Sequence, residues 1–143
     1  MTDDRGLITG YVPGAWDMFH IGHLNILERA RAHCDILMVG VVTDDTLLQA
    51  KGRLPIIPLE ERMDVVRAMS IVDRVVVDTS SNKIEAWRSN GFDVLFKGDD
   101  WRGTPKGDRL EEQMAYVGVE VHYFPYTAQT SSTKLRALIS ARS

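Results

Sequence analysis

Cysteine is nearly absent from this chain: Cys34 is the single one in 143 residues. An internal disulfide is thereby excluded, and a cysteine-rich zinc site as well; at the end of the first expected helix the thiol reads as half-buried packing. No apolar run approaches the roughly 20 residues that cross a bilayer. The start, Met1-Thr2-Asp3-Asp4-Arg5, lacks a basic region followed by an apolar stretch. These absences lead us to expect a cytoplasmic protein without membrane insertion. Positive charge is also scarce, with 17 lysines and arginines against 20 aspartates and glutamates, a net charge of −3 and no basic run. A polyanion finds no electrostatic footprint, so nucleic acid is not expected as a partner and any phosphate binding falls to local cations. Linkers, repeats and low-complexity segments are missing too. What is present, 44% hydrophobic and 26% charged residues, fits one domain over 1–143, long enough to bury about two-thirds of its unfolded surface.

Strand and helix patterns alternate along the chain. Leu7 to Val12 reads as a buried strand ended by Pro13-Gly14, and Ile21, Leu24, Leu27 and Ala30 recur at helical spacing after it. Asp35 to Val42 is a near-continuous apolar run, the mark of a strand covered on both faces of a parallel sheet. A helix to about Ala50 and a loop from Lys51 to Pro55 follow. Leu59, Met63, Val66 and Met69 then share one face of a helix that starts after Pro58. Further strands are expected at Arg74–Val77, Asp93–Lys97 and Glu120–Phe124, with helices at Lys83–Asn90, Arg109–Val117 and Thr133–Ala141. This order predicts an α/β fold, a Rossmann-like doubly wound parallel sheet of five strands flanked by helices. Ligands of such sheets bind beyond the carboxyl ends of the strands, where the strand order reverses.

At the first of those ends stands His20-Ile21-Gly22-His23. The opening N–H groups of a helix lack intrahelical partners and carry the positive end of the aligned peptide dipoles, so this position suits an anion. Two imidazoles add directional donors, and Gly22 lets a ligand approach the backbone closely. Zinc is disfavoured because no third ligand stands at matching spacing. The turn Gly10-Tyr11-Val12-Pro13-Gly14-Ala15-Trp16-Asp17 fits neither G-x-G-x-x-G nor a P-loop. Asp99 and Asp100 read equally as turn residues or ligand contacts, and Trp101 as packing or as a wall of a site.

The stretch Ala15-Trp16-Asp17-Met18-Phe19-His20-Ile21-Gly22-His23 resembles the HxGH nucleotidyltransferase family in its cytidylyltransferase branch. Thr43-Asp44-Asp45, Lys51-Gly52, Glu61-Arg62 and Ser131-Ser132-Thr133-Lys134 resemble that family's other motifs, and Gly98-Asp99-Asp100-Trp101-Arg102-Gly103 is similar to the G-D-D-W-x-G of glycerol-3-phosphate cytidylyltransferases. The resemblance implies transfer of CMP from CTP to glycerol 3-phosphate or a similar small polyol phosphate, with release of pyrophosphate, for envelope polymers. It implies catalysis by His20, His23, Lys51 and Arg62. For substrate and nucleotide it implies Ala15, Trp16, Asp17, Gly22, Asp44, Lys51, Arg62, Gly98, Asp99, Tyr126, Thr127, Ser131, Ser132 and Thr133. It further implies Mg²⁺ brought with the nucleotide and a homodimer, while the sequence itself shows no dedicated metal cage. Tyr126 stands where the family has an arginine that helps hold the nucleotide, and Ala15 where relatives often have threonine. A tyrosine lacks the charge and forked donors of a guanidinium, so adenylyl transfer to a sugar phosphate or flavin precursor, or nucleotide binding without turnover, stay open.

Overall fold

The computed structural model describes residues 6–125 and 130–142. Its sheet has five parallel strands, β1 (Thr9–Gly14), β2 (Ile36–Val42), β3 (Arg74–Asp78), β4 (Val94–Gly98) and β5 (Glu120–Phe124), in the order β3-β2-β1-β4-β5. Between and after them run α1 (Ile21–Arg31), α2 (Asp44–Lys51), α3 (Leu59–Arg67), α4 (Lys83–Asn90), α5 (Pro105–Tyr116) and α6 (Ser132–Arg142), with one 3₁₀ turn at Asp99–Trp101. The expected doubly wound architecture is present. Among the described residues no helix is long and apolar enough to cross a membrane.

Alternation along the strands supplies a core to each face of the sheet. Val12, Leu37, Val39, Val41, Phe96 and Phe124 pack with Leu27 and Ala30 of α1 and Met63 and Val66 of α3. On the opposite face Tyr11, Met38 and Leu95 meet Ala86 of α4 and Leu110 and Met114 of α5. Gly40 makes room for this second core: a Cβ there would lie 2.0 Å from the Tyr11 hydroxyl, which donates to the buried Asp78 carboxylate at 2.5 Å. A side chain at Gly40 would therefore displace a hydrogen bond that ties β1 to β3.

Several boundaries differ from expectation for identifiable reasons. Asp35 and Asp93 precede their strands because their carboxylates accept the backbone N–H groups of Ile8 and Thr9, at 2.7 and 2.8 Å. β1 runs on through Pro13 to Gly14 rather than stopping before them. It pairs with β2 along its whole length, but with β4 only at Gly10↔Val94 and Tyr11↔Leu95. Pro13 has no N–H to donate, and it stands where β1 has already parted from β4. The gap so opened lies between β1 and β4, the point at which strand order reverses. α5 starts at Pro105, ahead of the expected Arg109, because the Thr104 hydroxyl accepts from Gly107 N at 3.1 Å and proline suits the first helical position.

Candidate active site

The turn after β1 is bent hard. Trp16 and Met18 have φ of 57° and 51°, left-handed values that cost a non-glycine residue about 1–2 kcal/mol each. Contacts from distant segments hold this shape. The Trp16 indole donates to Gly40 O at 3.0 Å, and the buried Asp17 carboxylate accepts from Ile56 N, Ile57 N and Arg136 at 2.9, 2.8 and 2.9 Å. The Ser132 hydroxyl donates to Asp17 O at 2.6 Å. Assigned by resemblance to substrate and nucleotide, the Asp17 carboxylate here orders the turn. The strained turn fixes where α1 begins.

α1 is capped by its own histidines. His20, with extended backbone, is the N-cap; its Nδ1 accepts from Gly22 N at 3.0 Å, while His23 Nδ1 accepts from His20 N at 3.2 Å. Imidazoles thus take the places that serine and glutamate fill in an ordinary capping box. His23 N and Leu24 N bond to His20 O, so together with Gly22 N these first-turn N–H groups are engaged. The expectation that an anion meets free backbone donors there is narrowed: the N–H groups of Gly22, His23 and Leu24 are taken, and the cleft is offered imidazole Nε2. Because each Nδ1 is an acceptor, the neutral rings carry their proton on Nε2. The rings stack with centroids 3.9 Å apart, and His20 Nε2 lies 3.2 Å from Ser132 Oγ. Burial lowers the pKa of both. His23 is pushed to about 3 by burial and then by the neighbouring His20, against the pull of Asp17. Near neutral pH the pair therefore presents uncharged Nε2–H donors.

These groups open on a cleft of about 240 Å³ above the gap between β1 and β4. Of the residues assigned by resemblance, Ala15, Trp16, Asp17, His20, Gly22, His23, Lys51, Gly98, Ser131, Ser132 and Thr133 line it. Ser131 caps α6 by accepting from Lys134 N at 3.1 Å, which sets Ser132 and Arg136 along one side of that helix. Lys51 ends α2, where Gly52 adopts the left-handed φ of 74° that terminates the helix. Burial, then the charges of Arg136, Arg53 and Lys106, lower its pKa, with Asp100 opposing.

Arg62 is a correction. Its side chain is fully buried, outside the cleft, and its guanidinium donates to Ile57 O, Ala15 O, Val42 O and Asp44 Oδ1 at 2.8, 2.6, 2.8 and 2.5 Å. Arg62 braces the turn and the end of β2, with its donors turned inward. Asp44 is corrected with it, since its carboxylate is that brace's partner and does not line the cleft. Asp99 is a third correction: exposed in the 3₁₀ turn, it stays off the cleft wall, which its neighbour Asp100 lines. Tyr126 and Thr127 lie outside the described residues. Trp101 packs against the second core, and Lys97 Nζ lies 3.9 Å from its ring centroid.

Sequence reasoning did not find Asn25, Arg29, Lys97 and Arg136, all of which line the cleft. A signal existed for Arg136, four residues after Ser132 on one helix face, and for Lys97, which directly precedes Gly98 at a strand end. Among the described residues no cluster of three or more His, Cys, Asp or Glu side chains is arranged to hold a metal. The cleft is thus walled by neutral imidazoles, hydroxyls and cations, an arrangement suited to phosphate oxygens.

A family model described as cytidylyltransferase-like matches residues 11–138. The chain belongs to that family. Among curated relatives, the bifunctional protein HldE of Hyphomonas neptunium is 37% identical over 134 residues, 92% of this chain. An ethanolamine-phosphate cytidylyltransferase of Arabidopsis thaliana is 40% identical over 102 residues, 68% of this chain. The chain spans about a quarter of the length of those two, 27% and 24%. An FAD synthase of Pyrococcus abyssi is 34% identical over 131 residues, covering 90% of this chain and 87% of that protein. In fold, the chain resembles a lipopolysaccharide core biosynthesis protein of Thermoplasma volcanium GSS1, with a TM-score of 0.72 at 22% identity over 87% of this chain and all of that one.

Proposed function

We propose that the cleft transfers CMP from CTP to a small phosphorylated alcohol of the glycerol 3-phosphate kind. An oxygen of the acceptor's phosphate forms a bond to the α-phosphorus, the bond from that phosphorus to the oxygen bridging to the β-phosphate breaks, and pyrophosphate leaves. Charge then builds on the nonbridging oxygens and on the leaving group, so catalysis is alignment plus electrostatic stabilisation. The observation that carries the reading is the paired imidazoles, each with Nδ1 fixed by a backbone N–H. Donors held that way need no rearrangement as the charge develops. His20 and His23 are assigned to that charge, Lys51 to phosphate charge from either substrate, and Ser131, Ser132 and Thr133 to the nucleotide's phosphates.

Mg²⁺ fits as a companion of the triphosphate. The carboxylates on the cleft wall are Asp17, engaged by Arg136, and Asp100. Asp100 is the carboxylate that would help hold such an ion beside the nucleotide, where it would supply positive charge to offset that of the phosphates. The cytidylyl reading is supported by the family and by the Arabidopsis relative, whose name specifies cytidylyl transfer to a phosphorylated alcohol. Adenylyl transfer is the second reading, favoured by the match over most of the length of an FAD synthase. A homodimer in the cytoplasm completes the proposal; exposed Val77 on edge strand β3, and Leu138 and Ile139 on α6, offer apolar surface to a second copy.

A pyrophosphate-release screen of CTP, ATP, GTP and UTP against glycerol 3-phosphate, ethanolamine phosphate, sugar phosphates and riboflavin phosphate, with Mg²⁺, tests this reading. Release with CTP and a polyol phosphate is expected. Release only with ATP selects the second reading, and no release with any pair contradicts both.

A further inference from the structure

Lys97, like Lys51, differs from Arg136, the cleft cation that is paired with Asp17. Lys97 lines the cleft, yet among the described residues no carboxylate lies within ion-pair distance of its Nζ, which sits 3.9 Å from the centroid of the Trp101 ring. Lys97 is half-buried, and an ammonium that has given up part of its hydration gains from an opposite charge within reach. Burial pushes its pKa down to about 8, Lys51, Lys83 and Lys106 add to the lowering, and Asp100 opposes it. An anion in the cleft supplies the missing partner.

The position of Lys97 says which anion. Along β4, Leu95 faces the second core and Phe96 the first, so alternation directs Lys97 to the α5 side of the sheet. His20 and His23 enter from α1, on the other side of the gap between β1 and β4. In-line transfer sets the attacking oxygen and the leaving pyrophosphate on opposite sides of the α-phosphorus. With the triphosphate assigned to the histidine and α6 wall, the attacking group approaches from the wall that carries Lys97. We infer that Lys97, held by the indole of Trp101, is the cation that receives the phosphate monoester of the acceptor and so sets the preference for acceptors of that class. Trp101 is a positioning residue in this arrangement. The inference rests on the transfer reading for the identity of the two walls.

The test is calorimetric binding of CTP and, separately, of glycerol 3-phosphate, ethanolamine phosphate and glucose 1-phosphate to wild-type protein, Lys97→Met and Lys97→Arg. Methionine is close in length and replaces an unpaired charge, so thermal stability is expected to hold or rise. Lys97→Met is expected to weaken the monoester that the wild type binds best by at least about tenfold while changing CTP affinity by less than about threefold. Raising the pH from 7 to 9.5 removes the Lys97 proton, so wild-type monoester affinity falls. Lys97→Arg keeps its charge and loses that share of the fall, although Lys51, Lys83, Lys106 and Asp100 still surround the site. Equal weakening of CTP and monoester, an unchanged monoester affinity in Lys97→Met, the same pH response in Lys97→Arg as in wild type, or no monoester binding by wild type overturns the inference. Because no turnover is read, selective monoester binding through Lys97 without pyrophosphate release would sink the transfer reading and leave the Lys97 site. Release unaffected by Lys97→Met in its acceptor KM would sink the site and leave the transfer reading.

Discussion

The His20–His23 pair and Arg62 belong to two motifs of the same family pattern, and they end in opposite situations. The imidazoles turn Nδ1 inward to accept backbone N–H groups and keep Nε2 toward the cleft. The guanidinium finds three carbonyls and a carboxylate within reach and turns its donors inward. An imidazole can accept on one nitrogen and donate on the other, whereas arginine can only donate. A basic side chain ringed by carbonyls is therefore absorbed as a brace, and one that meets N–H groups is left with a donor to offer.

Removing the brace has the largest expected effect. Arg62→Ala removes a fully buried side chain and takes its donors from the carbonyls of Ala15, Val42 and Ile57, a loss of about 2–4 kcal/mol of stability to which the partly exposed Asp44 adds little. Denaturant unfolding measures it, and activity is expected to return with the folded fraction on cooling. Normal stability with lost activity would instead put Arg62 on the ligand. Next come His20→Ala and His23→Ala, each expected to lower kcat by about a hundredfold to a thousandfold with a smaller change in KM. Steady-state kinetics decides, and a pure KM effect would contradict a role in the transition state.

Titration sharpens the contrast further. The folded pKa of His23, about 3, lies below its ordinary 6.5, so between those values the unfolded chain binds the proton and the folded one does not. Stability conferred by the neutral ring is present above pH 6.5 and declines as the pH falls toward 3. Unfolding curves over that range should show the decline, reduced in a His23→Asn variant; an identical decline would assign it to other groups. The smallest effect is expected from Ser132→Ala, which removes the bond to Asp17 O and the partner of His20 Nε2, for about 1 kcal/mol in stability and a severalfold fall in rate.

The sheet was legible because β2 is apolar throughout and buried on both faces, and because turns and caps punctuate each strand and helix. β5 falls at the expected Glu120–Phe124, whereas β1 runs past Pro13, since a proline is tolerated once a strand has left one neighbour. The cleft was legible wherever a motif sits at a strand end, as with His20, Gly98 and Ser132. Arg62 was not, because spacing places a guanidinium on a helix face without saying how many carbonyls will surround it. Lys97 was hidden for the converse reason: inside a strand pattern a single lysine reads as an edge charge until the parting of β1 from β4 shows what lies beside it.

The most direct test of the contrast is nitrogen-resolved NMR of the His20, His23 and Arg62 side chains during titration with CTP and Mg²⁺. Both imidazole Nε2 signals are expected to move and saturate together, from the Nε2–H tautomer, while the Arg62 Nε signal stays in place. Movement of Arg62 with unmoved imidazoles would contradict the assignment of donor and brace.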